Sequence, residues 1–435
     1  MTRSPRLGGF AVYYVQRTRP MTLNLRPTQA EARSVMDRVR KGIVVMPTGA
    51  GKSFTMVADA LEQLKSGPKT IVVVAPRILL AKQLREDFMK FLPSTWVHVC
   101  HVHTGETVYF NTTKPEKIAL FNNTARAASE SCVIFTTYNS LHKVVDSNIH
   151  VDTVYFDESH NSVKKNFFDS TRHLSANANR CYFFTATPKY SHTISKPGMN
   201  NPEVYNQIIY NVPAPRLIND GSILPPKINA IRIPSDRLKG EEAAERDCMT
   251  LLDTIYNEDH MEKVLIAAPN TKVMLRMLAE TDFMTEVQSM GYDLLWITSK
   301  HGAFLNDKKI TREEFFSLIQ EFGADPDKKF VVLHYSILSE GISVPGLTSL
   351  ILMRQMNVIE MCQSVGRVIR LHLDDIKKIQ NGTLTPGKLE DYTKSFGLVH
   401  VPVYDNVGVS TVKRLQDVVD TVFVKGQPAI STIKR

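Results

Sequence analysis

The segment MPTGAGKS, residues 46–53, carries the residue types that most clearly suggest chemistry. It follows a strand-like apolar stretch and opens a helical pattern, so N–H groups at the helix start are placed to attract phosphate oxygens. Gly49 and Gly51 permit a close backbone approach. Lys52 could reach the terminal phosphates, and the Ser53 hydroxyl could ligate Mg²⁺. The segment therefore predicts a phosphate-binding loop for a nucleoside triphosphate, made of Thr48, Gly49, Ala50, Gly51, Lys52 and Ser53.

Two adjacent carboxylates, Asp157 and Glu158, end a second apolar stretch at 151–156. Doubly wound sheets bind ligands at the carboxyl ends of their parallel strands. We expect Asp157 to hold Mg²⁺ through water and Glu158 to polarise the attacking water as a general base. A lone Asp-Glu pair is usually a solvated turn, but the phosphate loop about 100 residues upstream favours catalysis.

Two arginines, Arg367 and Arg370, lie in the segment QSVGRVIR at 363–370. The predicted helix 358–370 would place them on one face, because residues three apart are neighbours on a helix surface. Two guanidinium groups there could stabilise charge that develops on a γ-phosphate. The alternative for these two residues alone is an ordinary basic surface.

Alternating strands and helices must position these residues. The predicted strands of the first half are 42–46, 70–75, 132–136, 151–156 and 180–184. Those of the second half are 263–268, 293–298, 329–334 and 349–353, with helices at 271–280, 311–322 and 358–370. This alternation predicts an α/β fold with two tandem doubly wound parallel sheets.

The proline-rich stretch 211–226 predicts the boundary between the two halves. The expected parts are a basic N-terminal arm at 1–20, a first domain at 21–212, a linker at 213–226, a second domain at 227–375 and a C-terminal extension at 376–435.

Composition limits the class of protein. The formal net charge of +9 favours a polyanionic partner. No apolar run approaches the roughly 18 residues that a membrane helix needs. Five cysteines without a Cys-x-x-Cys pair indicate reduced thiols, so we expect a soluble intracellular protein of the cytoplasm or nucleus. The first 30 residues lack acids, which leaves a mitochondrial transit peptide as an alternative for the arm.

A zinc site is a second alternative, at His98, Cys100, His101 and His103. A strand would divide these four side chains between its two faces, so they could not easily surround one ion tetrahedrally.

Three segments occur in a fixed order: the phosphate loop, DESH at 157–160 and QSVGRVIR at 363–370. This ordered set resembles the motifs of a superfamily 2 helicase or translocase. Further matches extend the resemblance over residues 26–370, most of the chain. They are Arg26 and Gln29 in an adenine-recognition segment, Pro76 and Arg77 in motif Ia, Thr136 and Thr137 in a Thr-Thr-Tyr element, Thr185 and Thr187 in motif III, and residues 339–345 in motif V. Within that superfamily, the motifs resemble those of phage recombination helicases, xeroderma pigmentosum-type helicases and restriction-enzyme motor subunits.

The resemblance implies two RecA-like domains with ATP and Mg²⁺ bound between them, and DNA rather than RNA as the partner. It implies a catalytic set of Lys52, Asp157, Glu158, Gln363, Arg367 and Arg370. The implied nucleotide contacts add Arg26, Gln29 and Gly341 to the phosphate loop, with Ser53 and Asp157 at the metal. The implied nucleic-acid and coupling residues are Pro76, Arg77, Thr136, Thr137, His160, Thr185 and Thr187. Ser159 and Ser343 depart from the Ala and Asp that these relatives usually carry.

Several functions stay open at this point. A duplex translocase that does not separate strands, or the motor subunit of a restriction-type complex, would carry the same motifs. A catalytically silent nucleic-acid-binding module would not need the intact catalytic set. We expect a monomeric core that could work with replication, repair or transcription proteins.

Overall fold

The computed structural model describes residues 22–433 except 94, 106, 108, 194, 240, 241 and 336–343. The chain divides into two compact units. One ends at Val212 and also includes the chain from Ile430 onward, and the other spans Pro213–Ala429. The division falls within the proline-rich stretch. The basic arm at 1–20, Gly341 and Ser343 lie outside the described residues.

The first unit is built on a parallel sheet of seven strands. In chain order they are β1 Lys41–Val45, β2 Thr70–Ala75, β3 Val97–Val102, β4 Ser131–Thr137, β5 Thr153–Phe156, β6 Arg180–Thr185 and, after the short strand β7 Lys189–Ser191, β8 Ile208–Asn211. Their spatial order is β3-β4-β2-β5-β6-β1-β8. The helices are α1 Pro27–Arg38, α2 Lys52–Lys65, α3 Ile78–Met89, α4 Pro115–Ala127, α5 Leu141–Asp146, α6 Lys165–Asn177 and α7 Pro202–Tyr205.

The second unit is built on a mostly parallel sheet of eight strands. They are β9 Pro226–Ile233, β10 Lys263–Ala267, β11 Asp293–Thr298, β12 Gly302–Leu305, β13 Lys308–Ile310, β14 Phe330–His334, β15 Ser349–Leu352 and β16 Gly397–Tyr404. At one edge of this sheet β12 pairs antiparallel with both β11 and β13, and the other strand pairs of the sheet are parallel among the described residues. The helices are α8 Ala214–Asn219, α9 Glu242–Asn257, α10 Thr271–Glu280, α11 Phe283–Ser289, α12 Arg312–Ala324, α13 Val358–Val368, α14 Leu373–Gln380 and α15 Val409–Val419.

Burial explains why the strand pattern was visible in the sequence. All six residues of β2 are buried, as the run TIVVVA predicts for a strand covered by helices on both faces. The β14 residues, Phe330–His334, are buried in the same way. The predicted α/β class with two parallel sheets is confirmed.

The segment at 376–435, expected to follow the second domain as an extension, contributes to its sheet. Strand β16 pairs in parallel with β9 along all eight residues and with β15 on its other side. The last strand, β17 Ser431–Ile433, instead pairs with β7 of the first unit. Mixed charge around these short apolar runs hid them, because strand partners are chosen by long-range packing rather than local pattern.

The helix that follows the phosphate loop is anchored by a buried ion pair. Asp59 of α2 is fully buried and accepts two hydrogen bonds of 2.9 Å from Arg180 at the start of β6. Arg180 also donates to the Met36 carbonyl oxygen of α1 at 2.9 Å. A bidentate pair of this kind fixes direction as well as distance. The middle of α2 is therefore anchored to the first residue of β6.

The described residues contain neither a membrane-spanning helix nor a cluster of metal-ligating side chains. None of the helices there is both long and apolar enough to cross a membrane. Within the same residues, three or more His, Cys, Asp or Glu side chains nowhere gather as a metal-ion site. In the histidine-rich strand β3, the described contacts are with protein groups: His98 pairs with Glu130, and His103 Nε2 lies 3.1 Å from His101 Nδ1.

Candidate functional site

The phosphate loop connects β1 to α2 in the arrangement that the sequence predicted. Helix α2 begins at Lys52, and Gly51 precedes it with a left-handed backbone, φ 83°. Gly49 is also left-handed, with φ 89°. A Cβ at Gly51 would lie 2.1 Å from Gln29 Nε2. The loop therefore requires glycine at this position for both conformation and space.

Arg26 and Gln29, predicted nucleotide contacts, hold this loop from the side. Gln29 Oε1 accepts from the Arg26 amide at 2.9 Å, and Gln29 Nε2 donates to the Ala50 carbonyl oxygen at 3.2 Å. The Arg26 guanidinium lies 3.5 Å from the Gly49 carbonyl oxygen. The structure thus brings these two residues onto the phosphate loop, from the start of α1.

The acid pair lies at the carboxyl end of β5, against the loop. Lys52 Nζ is 2.8 Å from Glu158 Oε1; the Glu158 side chain is buried, and the Lys52 side chain is 11% exposed. Glu158 has φ 44°, in a left-handed region that non-glycine residues seldom occupy. The backbone thereby turns the Glu158 carboxylate toward Lys52. Such strained residues are concentrated at functional sites.

Asp157 lies beside this ion pair in a low-dielectric environment. Burial and the neighbouring Glu158 carboxylate raise the pKa of Asp157, although Lys52 partly opposes them. Its carbonyl oxygen accepts a hydrogen bond of 2.9 Å from the Tyr138 hydroxyl. Two close carboxylates with one lysine form a site that a divalent cation would stabilise, because the cation relieves their mutual repulsion.

A hydrogen-bonded chain joins the acid pair to the end of β6. His160 Nδ1 lies 3.1 Å from Thr185 Oγ1 and 3.5 Å from Glu158 Oε2. Thr185 Oγ1 also accepts from the Thr187 amide at 3.1 Å. Asn161, which the sequence did not single out, lies 3.2 Å from the other His160 ring nitrogen. Of the predicted coupling residues, His160 therefore contacts Glu158 directly, whereas Thr185 and Thr187 are connected to it through His160.

The predicted nucleic-acid contacts of the first unit lie on neighbouring strand ends. Pro76 and Arg77 follow β2, and Thr136 and Thr137 end β4, paired with it in parallel. Arg77 is exposed, whereas both threonines are buried. Thr136 Oγ1 donates to the Val102 carbonyl oxygen at 2.9 Å, so this hydroxyl is engaged inside the unit.

In the second unit, Gln363 and Arg367 are buried on α13. Arg367 Nη1 donates to the Gln363 carbonyl oxygen at 2.9 Å. The buried Gln363 Nε2 has no hydrogen-bond partner among the described residues. The placement predicted for Arg370 is wrong: α13 ends at Val368, so Arg370 lies in the turn beyond the helix and does not share a helix face with Arg367. The helix ends there because other parts of the unit bind the carbonyl oxygens of this turn.

Sequence reasoning missed two groups near this turn. His334, buried at the end of β14, has its pKa lowered to about 3, first by burial and then by the charges of Arg367 and Arg354. Lys394, from the segment before β16, donates to carbonyl oxygens around Arg370. Neither residue belongs to a recognisable short motif, so no local signal marked them.

Comparison with known proteins shows similarity in part of the sequence and in the fold. Residues 22–190 match the model of the family described as Type III restriction enzyme, res subunit. No curated protein matches the chain. Among solved structures, the ATP-dependent Type ISP restriction-modification enzyme LlaBIII bound to DNA is similar with a TM-score of 0.68 at 15% identity, covering 95% of this chain and 31% of that one.

Two further structures show the same likeness. A nuclease-deletion mutant of the Type ISP enzyme LlaGI, in complex with a DNA substrate mimic, has a TM-score of 0.60 at 17% identity over 94% of this chain and 30% of its own. A fragment described as an HsdR subunit of a type I restriction enzyme from Vibrio vulnificus YJ016 has a TM-score of 0.58 at 17% identity over 93% and 68%. The chain spans about a third of the length of the first two proteins.

Fold and site together define a protein with two α/β units of helicase-like architecture, the first of which carries the phosphate loop. The resemblance drawn from the sequence motifs agrees with the family match over residues 22–190 and with the fold that nearly the whole chain shares with the three restriction-enzyme structures.

Proposed function

We propose that this chain is an ATP-driven motor that acts on DNA, and that it serves as the motor part of a restriction-type assembly. The observation that carries the proposal is the Lys52–Glu158 ion pair of 2.8 Å beside Asp157, at the mouth of a glycine-containing phosphate loop. A structural ion pair would not need a phosphate loop, a second carboxylate or a strained glutamate at the same place. The similarity to restriction-enzyme structures supports the second part of the proposal.

Residues of both units have separate roles in the proposed ATP hydrolysis. Lys52 exchanges its bond with Glu158 for the terminal phosphates of ATP, and the loop N–H groups bind the phosphate oxygens. Once released from Lys52, Glu158 accepts a proton from the attacking water as general base. Arg367 and Arg370 of the second unit stabilise the charge that develops on the transferred phosphoryl group.

Mg²⁺ fits the donor set of this site. The Ser53 hydroxyl and the Asp157 carboxylate are hard oxygen donors, which this ion prefers. Burial and then the Glu158 carboxylate raise the pKa of Asp157, and a bound cation would oppose both effects by favouring the ionised carboxylate. When bound, the ion would supply charge neutralisation at the phosphates.

The chain His160–Thr185–Thr187 offers a route from hydrolysis to DNA. Because His160 contacts both Glu158 and Thr185, a change at the acid pair alters the hydrogen bonds at the end of β6. We infer that this change alters the affinity of the protein for the nucleic-acid backbone. The second candidate activity within this class is strand separation by a helicase, which the same motifs would support.

The experiment that tests the proposed function is ATP turnover on a panel of polymers. We expect turnover to be stimulated most by duplex DNA, less by single-stranded or forked DNA and least by RNA. Displacement of a bound protein from duplex DNA, without displacement of an annealed strand, would favour a translocase over a helicase. Absence of ATP hydrolysis on every polymer would leave only a nucleic-acid-binding module and would refute the motor.

DNA affinity is expected to depend strongly on salt and little on sequence. The net charge is +9, and the exposed Arg77 lies among the predicted backbone contacts. Release of counterions gives a log-log slope of about −0.9 for each phosphate neutralised on duplex DNA. Titrations of two unrelated duplexes at several salt concentrations measure this slope. A flat salt dependence, or tight binding to one of the duplexes alone, would contradict the prediction.

A further inference from the structure

Each carbonyl oxygen of the turn that carries Arg370, residues 368–370, accepts a hydrogen bond. Lys394 Nζ donates to the carbonyl oxygens of Val368 and, at 3.2 Å, of Arg370. Between them, the Ile369 carbonyl oxygen accepts a hydrogen bond of 2.7 Å from the Leu224 amide. Three consecutive carbonyl groups are therefore bound by two segments that lie far from the turn in sequence.

Lys394 has no donor left for another partner. Its third hydrogen bond goes to the Leu347 carbonyl oxygen, in the loop before β15. A lysine ammonium has three N–H donors, and all three are used on backbone carbonyl oxygens. A cation at this place also complements the negative end of the α13 dipole.

Lys394 is in turn held by Asp375 of α14. The Asp375 carboxylate is fully buried and accepts hydrogen bonds from the Thr393 amide at 2.9 Å and the Lys394 amide at 3.2 Å. Strand β16, which starts three residues later, fits closely against the same turn: a Cβ on Gly397 would lie 2.6 Å from the Val368 carbonyl oxygen. The backbone that presents Lys394 is thus fixed on both sides.

Electrostatics agree with this geometry. Burial, followed by the nearby charge of Arg370, lowers the pKa of Lys394 to about 7. Burial also lowers the pKa of Arg370. Keeping both groups charged in this poorly solvated place costs free energy, which the nearby Asp375 carboxylate partly offsets for Lys394. A solvent-exposed lysine could bind the last carbonyl groups of a helix without this cost.

We propose that Lys394 is a positioning residue for Arg370: its ammonium, oriented by Asp375, fixes the turn after α13 so that the Arg370 guanidinium is presented for phosphoryl transfer. The proposal rests on the function proposed above for Arg370. Lys394 itself does not touch the nucleotide; it acts through the backbone of residues 368–370. A misplacement of about 1 Å in a catalytic group can cost on the order of 10²-fold in rate.

The test measures kcat and KM for ATP with Mg²⁺ and saturating duplex DNA, in the full chain. Lys394→Met should lower kcat about 10²-fold, with KM for ATP changed less than about threefold, because the lost contacts act in phosphoryl transfer rather than in binding. In the Arg370→Ala background, Lys394→Met should have almost no further effect on kcat, because its effect passes through Arg370.

Two variants serve as controls. Lys388→Met removes an exposed lysine of the same segment whose ion pair is with Asp391, and it should leave kcat unchanged. Asp375→Asn keeps the side-chain shape but weakens the hold on the Lys394 amide, and it should lower kcat in the same direction by a smaller factor. It also replaces Lys394→Met in the test if that variant fails to fold by circular dichroism.

The outcomes separate this proposal from the proposed function. If the wild type hydrolyses ATP and Arg370→Ala is slow while Lys394→Met and Asp375→Asn are normal, the positioning role is wrong and the motor stands. Equal losses from Lys394→Met with and without Arg370 would also overturn it, since Lys394 would then act elsewhere. A wild-type chain without ATP turnover would overturn both.

Discussion

Arg370→Ala is expected to retain ATP binding and to lose hydrolysis by about 10³–10⁵-fold, the range that arginine fingers contribute in related phosphoryl transfers. Most predicted nucleotide contacts belong to the first unit, so removal of one side chain from the second should leave affinity for ATP nearly intact. The guanidinium matters for charge that exists mainly in the transition state, so its loss should appear in kcat rather than in KM.

The measurements are single-turnover hydrolysis and binding of a nonhydrolysable ATP analogue. Arg312→Ala is the matched control, because Arg312 is an exposed arginine at the start of α12 in the same unit. A variant with normal turnover, or one that no longer binds the analogue, would show that Arg370 does not act as an arginine finger.

Lys52→Ala is expected to lower ATP turnover by about 10²–10³-fold or more, the loss typical when one preorganised donor to developing charge is removed. The structure adds an effect on stability. Glu158 is 6% exposed, and its carboxylate would lose the ammonium 2.8 Å away. Removal of one partner from a buried pair costs about 3 kcal/mol or more, so the free energy of unfolding should fall as well.

The double variant Lys52→Ala with Glu158→Gln separates the two effects. The neutral amide removes the buried charge, so thermal stability should return toward that of the wild type while hydrolysis stays absent. Lys65→Ala on the same helix is the control, since Lys65 is exposed and forms a surface pair with Glu62. Turnover of Lys52→Ala within twofold of the wild type would contradict the phosphate-loop assignment.

Local signals in the sequence predicted the first unit well. Helix α2 begins directly after the phosphate loop, as expected, and β2 has the predicted bounds. Both depend on short-range features: glycines at the loop and a continuous β-branched run. The functional roles of the site residues stay predictions, which the variants above test.

The second unit was harder to predict for a physical reason. The periodic pattern of α13 continues to Arg370, but the helix ends at Val368, because Leu224 and Lys394 bind the carbonyl groups beyond it. Tertiary contacts of this kind override helix propensity at helix ends. Strand β16 was missed likewise, because its partners β9 and β15 lie elsewhere in the chain.

The sequence by itself determined the residue types that can do chemistry and the strands and loops that carry them, because motif spacing and hydrophobic periodicity are local properties of the chain. Only the tertiary structure decided the partners: Lys52 with Glu158 across 106 positions, and Lys394 with the turn of Arg370. Such pairs form where two distant segments meet in a dry environment with matching geometry. No single segment contains that information, since the free energy of each contact depends on groups that folding brings together.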